Sequence, residues 1–224
     1  MSLPPRNPRD TAAAFEAPAV SSSGLWSRFR QRHLHDYNAT ATTRWLALVA
    51  AGLLALAWSL VQLSALPAPT LLRVALGVAF VAVVALFPLH IPRTKYSICV
   101  SDVFVFALLA LHGAPAAALA AGAEGLVGAY RTSKRLTSRA GTLAAATATM
   151  LLCGMAYEGL HVAMELAGLS TATATLVALC LVSLPYFAGT TLPLLAVVAA
   201  KNGHRLSTTD WAQNYSWFAA VYML

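Results

Sequence analysis

Long apolar runs alternate along this chain with short joints that hold most of its polar residues. The first run, 45–66 (WLALVAAGLLALAWSLVQLSAL), stops at Pro67 and Pro69, and the second, 71–89, stops at Pro88 and Pro92. Runs of about twenty apolar residues have the length a helix needs to cross a hydrocarbon core about 30 Å thick. Segment 98–111 (ICVSDVFVFALLAL) is short for a complete span, so it is expected to tilt, lie beside irregular backbone, or begin inside a protein-lined recess. A tight joint follows, His112-Gly113-Ala114-Pro115, in which Pro115 suits the first turn of the next helix. That helix, 115–130 (PAAALAAGAEGLVGAY), is built of small residues that permit close approach of another helix. After the basic joint 131–139 come long helices over 140–166 and 172–200, the latter with Pro185 and Pro193 inside it. The last run, 211–224, opens at the cap candidate Asp210 and covers only about 21 Å at 1.5 Å per residue. It is re-entrant or interfacial, or the natural chain continues past Leu224; continuation is the preferred expectation. The pattern predicts an all-α polytopic membrane protein with six main apolar helical segments and a seventh, partial or truncated one.

Ahead of these runs, residues 1–24 are rich in Pro, Ala and Ser without sustained apolar period and read as a flexible leader. Residues 25–44 read as a basic amphipathic juxtamembrane segment. Trp26, Phe29 and Leu34 would meet the headgroup layer, and Arg28, Arg30 and Arg32 anionic lipid. Residues 45–224 form the helical membrane domain.

Composition sharpens this picture. Of 224 residues, 58% are hydrophobic and 10% charged, which excludes a free-standing soluble enzyme and a disordered tail. The net charge of +7 would suggest nucleic acid in a soluble chain, but here the basic residues occupy the joints, so topology explains them and no nucleic-acid partner is expected. With a cytoplasmic amino terminus, the inner side receives Arg44, Arg93, Lys95, Arg131, Lys134, Arg135, Arg139, Lys201 and Arg205, while the outer joints 67–70, 112–114 and 167–171 contain no Lys or Arg. That alternation predicts a multi-pass protein of the cytoplasmic membrane with its amino terminus inside. Cys99, Cys153 and Cys180 are widely spaced without a CxxC pair and read as small hydrophobes.

Few acids fall within the apolar segments, and each is costly against lipid, so each should face protein or a hydrated cavity. Asp102 lies within reach of Arg93, Lys95 or Arg131 for an ion pair, or caps the helix that starts near Ser101; with Arg131, Lys134, Arg135 and Arg139 it is a candidate for topology or coupling. Glu124 stands among small neighbours, Gly122-Ala123-Glu124-Gly125, and suits a polar pocket, a proton site or an interhelical hydrogen bond. Glu158, His161 and Glu165, at offsets of three, four and seven, share one helical stripe that could bind a metal, accept protons, fasten a polar ligand or form a structural network. His112 is its most plausible distant contributor, and Tyr186, directly after Pro185, is a further ligand candidate. One helix supplies too few residues to identify any of these roles, a Glu-x-x-His unit needs partners on other helices to hold metal, no metal site is assigned, and no HExxH, phosphate-loop or nucleophile-elbow motif occurs. No catalytic residue or cofactor is assigned, and catalysis within the chain is not expected.

Segment 98–135, with Ser101-Asp102-Val103-Phe104-Val105-Phe106, a small-residue turn at Gly113 and Pro115, and a basic exit at Arg131, Lys134 and Arg135, resembles the membrane-associated sensor regions ahead of bacterial diguanylate cyclase and HD-type phosphodiesterase domains. The resemblance covers under a fifth of the chain. It implies a bacterial inner-membrane module that couples an envelope or membrane cue to a cytoplasmic signalling domain or protein. No GGDEF, EAL or HD-GYP pattern is present, so cyclic-dinucleotide chemistry is not assigned to these residues. The small-residue helices also resemble substrate-binding membrane subunits of vitamin transporters, which would imply a small ligand near Glu124, Glu158 and His161, and a packing surface at 116–123 for a second membrane subunit. A structural subunit of a membrane complex is the third reading. Membrane lipids are partners in all three, and a homodimer is compatible with each.

Overall fold

The computed structural model describes residues 24, 28, 33–90, 97, 98, 100–203 and 209. The chain divides into two compact units, Met1–His35 and Asp36–Leu224, and the five helices from Ala39 to Lys201 belong to the second. Its elements are α1 (Ala39–Ser64), α2 (Ala68–Val84), the two-residue strands β1 (Leu89–His90) and β2 (Ser97–Ile98), then α3 (Ser101–Thr132), α4 (Leu136–Leu166) and α5 (Thr171–Lys201).

This corrects the expected six segments plus a seventh. Among the described residues there are five helices, of which α1, α3, α4 and α5 are long and apolar enough to cross a membrane, while α2 is shorter. Two causes account for the difference. Segments 98–111 and 115–130 are arms of the single element α3, because helical hydrogen bonding resumes immediately after the break at Gly113. The end of the 71–89 run leaves the helix for an antiparallel pairing of Leu89 with Ile98 and His90 with Ser97. Segment 211–224, Asp210 and nearly all of the leader lie outside the described residues.

The first helix also begins earlier than its apolar run. Asn38 caps it by accepting the Ala41 N–H at 2.8 Å, and the hydroxyls of Thr42 and Thr43 fold back onto the carbonyls of Asn38 and Ala39. A capped, self-satisfied polar turn can therefore extend the helix ahead of Trp45.

Gly113 has φ 79° and ψ −179°, a conformation essentially restricted to glycine. The Ser101 hydroxyl donates to Oε1 of Glu124, 23 residues away in sequence. A straight helix would hold these residues about 34 Å apart at 1.5 Å per residue. Consequently α3 doubles back at Gly113 as a hairpin with arms 101–112 and 114–132. The first arm measures about 18 Å, shorter than a hydrocarbon core. Both ends of α3 therefore lie toward the same end of the bundle.

Side-chain contacts sort the helix termini into two groups. Asp36 accepts from Arg135 at 2.9 Å and from Lys201 at 3.3 Å, Asn38 donates to the Ala200 carbonyl, Arg44 donates to the Ala196 carbonyl, and Arg131 reaches the Ala85 carbonyl. The start of α1, the end of α2, the end of α3, the start of α4 and the end of α5 thus share one basic end. At the opposite end, Leu63, Val74 and Ala116 pack together with Leu66, Val78 and Leu119, joining the end of α1, the start of α2 and the α3 tip.

Helix α4 is central: its apolar stretch is more than half buried, whereas most of α1 is exposed, as suits a lipid-facing helix. Small residues let neighbours approach it. A Cβ on Gly154 would lie 2.6 Å from the Ala114 Cβ, and one on Gly52 would overlap Ala144. Close packing of this kind supplies van der Waals attraction where lipid leaves no hydrophobic drive between helices.

Candidate functional site

At the opposite end, the stripe on α4 reaches neighbouring elements through its polar atoms, although Glu158 and Glu165 are exposed and His161 is half-buried. Oε1 of Glu158 accepts the Ala114 backbone N–H at 2.9 Å. Ala114 opens the second α3 arm, whose first N–H groups have no intrahelical acceptor, so the carboxylate caps that arm from a neighbouring helix. One turn further along α4, His161 Nε2 lies 3.1 Å from the Thr175 hydroxyl of α5, and its ring lies against that of Tyr157 at 5.8 Å between centroids. His161 Nδ1 is 3.8 Å from Oε2 of Glu165, whose Oε1 accepts the Thr171 hydroxyl at 2.7 Å. The stripe therefore ties three pieces together: the α3 tip, α4 and the start of α5. Side chains of His161 and Glu165 retain 20% and 39% exposure, so the network is not sealed inside the protein.

His112 immediately precedes the break and is half-buried. Tyr186 is buried in the core and meets Phe106 edge-on at 5.5 Å between centroids, so packing positions its ring. Among the described residues no group of three or more His, Cys, Asp or Glu side chains could hold a metal ion. Cys153 is buried and Cys180 exposed, both as free thiols, and Cys99 lies outside the described residues.

A second acidic cluster lies at the base of the α3 hairpin. Glu124 is only 8% exposed and Ser101 fully buried. Asp102, in the first turn of α3, lies close enough to interact with the Glu124 carboxyl both electrostatically and by hydrogen bonding. Oε2 of Glu124 nevertheless has no hydrogen-bond partner of normal geometry. The sequence pointed Asp102 toward a base; the structure brings it to an acid, because the doubling-back of α3 carries its first turn to the level of Glu124. Arg131, one of the expected bases, instead reaches the Ala85 carbonyl at 3.5 Å, and Arg93 and Lys95 lie outside the described residues.

The remaining coupling candidates form the basic end. Arg139 donates to the Ser133 carbonyl at 2.9 Å and stacks over Tyr130, 3.8 Å from its centroid. Arg135 pairs with Asp36, while Lys134 is exposed in the short turn between α3 and α4. Asp36 was missed in sequence because nothing in its local pattern shows that two helix ends converge on it. The Trp45 indole N–H donates to the Thr137 carbonyl at 2.9 Å and so ties α1 to the start of α4.

The expected subunit-docking surface at 116–123 needs correction. Ala116, Ala117, Ala118, Ala120, Ala121 and Gly122 are buried within the chain itself, so the small residues serve internal packing. Comparison with models of known protein families, with curated proteins and with solved structures found no match.

Proposed function

We propose that this multi-span membrane protein is a sensory module of the bacterial inner membrane, with a cytoplasmic amino terminus, coupling an envelope or membrane cue to a cytoplasmic output domain or partner. The observation that carries the reading is the grip of Glu158 on Ala114: a polar group in a partly accessible network holds the tip of a hairpin whose other end lies at the basic end. A ligand or proton that altered the Glu158–His161–Glu165 network would loosen or tighten that grip. The α3 hairpin and α4 would carry the change to the Arg131–Arg139 turn. Resemblance of 98–135 to bacterial sensor regions supports the same reading, as does the absence of basic residues from the joints assigned outside. The transporter-subunit alternative loses support because the surface it would use to engage a second subunit is internal.

Coupling between the ends is the test. In vesicles, a cysteine replacing Ser133, with the native cysteines removed, reports on the turn between α3 and α4. Glu158→Ala should change its labelling rate by about twofold or more, the range given by a coupling of ~0.5–2 kcal/mol. An unchanged rate at Ser133, alongside altered labelling at the α3 tip, would contradict the reading. Accumulation of a small solute by the vesicles would favour transport instead.

A further inference from the structure

We propose that Glu124 and Asp102 form a site for one exchangeable proton inside the membrane domain, and that its occupancy holds the base of the α3 hairpin closed. The inference goes beyond the sensory reading and does not depend on it. It stands on geometry. Asp102, half-buried at the start of the first arm, interacts with the Glu124 carboxyl of the second; Ser101 supplies a hydroxyl donor to Oε1, and Oε2 of this 8% exposed side chain makes no hydrogen bond of normal geometry. An acceptor so enclosed is costly unless something binds it. A buried carboxyl beside a second, half-buried one meets that requirement by sharing a proton.

The surroundings offer few competing charges. On the second α3 arm, Arg131 lies two turns nearer the basic end and reaches toward the Ala85 carbonyl of the chain just after α2. From α4, the side chains near Gly122 and Gly125 are Thr147, Ala146 and Thr142, none of them titratable. The Thr147 and Thr142 hydroxyls donate to carbonyls of their own helix. Arg139 of α4 stacks over Tyr130, and on α2 the one charged residue, Arg73, stands near the opposite end. On α1, Arg44 is engaged with Ala196 at the basic end. Asp102 and Ser101 both act on the Glu124 carboxyl.

Loading transfers a proton from hydronium to Oε2 of Glu124, forming one O–H bond and leaving water; release reverses the step. The bound proton bridges the two acids and lets the arms stay together. With the proton gone, two like charges on opposite arms repel, and the short first arm, which lacks a side-chain cap at Val100, is the piece free to move. The site would thus bind hydrogen ion, not a divalent metal, for which the described donors are too few.

The full chain in lipid vesicles is treated with dicyclohexylcarbodiimide, which modifies protonated carboxyl groups in apolar surroundings, and the adduct is located by mass spectrometry. Adduct on Glu124 of the wild-type chain, diminishing as pH is raised, is the expected result and requires no variant to fold. Glu124→Gln keeps an acceptor for Ser101 and should reduce the adduct on this peptide to background; Ser101→Ala, which keeps both acids, should retain it. Infrared difference spectra between low and high pH should show a protonated-carboxyl band that vanishes in Glu124→Gln. No adduct at Glu124 at any pH, an adduct indifferent to pH, or a carboxyl band unchanged by Glu124→Gln would overturn the proposal. Protection of Glu124 by sodium or lithium at constant pH would also overturn it, in favour of a metal-cation site.

Discussion

At its tip the α3 hairpin is held by Glu158, an exposed carboxylate on α4 that takes one backbone N–H; at its base it is held by Glu124, which is buried, faces a second acid and receives a serine hydroxyl. Water can replace the first contact and cannot readily replace the second. The tip therefore suits adjustment by a cue, since its rearrangement costs little, while the base suits a discrete two-state change governed by what occupies it. The same residue type serves both ends, and the surroundings give it different work. Shape also divides the two regions: glycine geometry dictates the tip, whereas side-chain chemistry dictates the base.

The largest expected effect breaks the tip through its backbone. Gly113→Val forces a β-branched residue into a glycine-only conformation, costing ~1–3 kcal/mol, and places its Cβ 3.0 Å from Oε1 of Glu158. Thermal unfolding in detergent, followed by circular dichroism, should show a clear drop in midpoint. Gly159→Ala, where the added methyl meets open space on the same α4, should leave the midpoint nearly unchanged. Equal effects at the two sites would remove the special role of the turn.

Next comes the seam between the tip and α4. Gly154→Val would drive a branched side chain into Ala114, and overpacking of this sort costs ~1–3 kcal/mol. Ala114→Gly should relieve it only in part, because it removes the overlap with the Ala114 Cβ at 2.6 Å and leaves that with the Ala114 Cα at 2.8 Å; full rescue would mean that backbone approach does not limit this seam. A smaller loss follows from removing the cap. Glu158→Ala should cost ~0.5–2 kcal/mol, the range for lost helix caps, and Glu158→Gln, which keeps an accepting oxygen, should cost less. If Gln proved as damaging as Ala, charge and not hydrogen bonding would hold the tip. Smallest is Asp36→Asn at the basic end. Partly exposed ion pairs contribute ~0–1 kcal/mol, so stability should barely change and the residual effect should fade with added salt.

The segmentation around the tip was half legible. Gly113 and Pro115 announce a break, and small residues on 115–130 announce close packing, both of which follow from local chemistry. That the first arm is short for a span was legible from 98–111 alone; that the chain doubles back there depends on Ser101 meeting Glu124, a contact between residues far apart in sequence. The β1–β2 pairing was hidden for a related reason: two-residue strands leave no period to read. At the site, the α4 stripe was visible because three offsets on one helix fix one face, yet the Ala114 N–H it caps carries no side-chain signal at all. The acid pair was the hardest case. Asp102 and Glu124 were each singled out, and each was assigned different company, because only the hairpin places them together.

The account rests on α3 turning back at Gly113, and one distance tests it. Val103 and Tyr130 are both exposed and stand on opposite arms. With Cys99, Cys153 and Cys180 replaced by alanine, spin labels at these two positions in lipid vesicles can be measured by pulsed electron resonance. A hairpin with arms 8–10 Å apart predicts a separation below about 25 Å including the label arms. A distribution centred near 40 Å, the length of about 27 residues of straight helix, would contradict the doubled-back hairpin and with it the shared acid site.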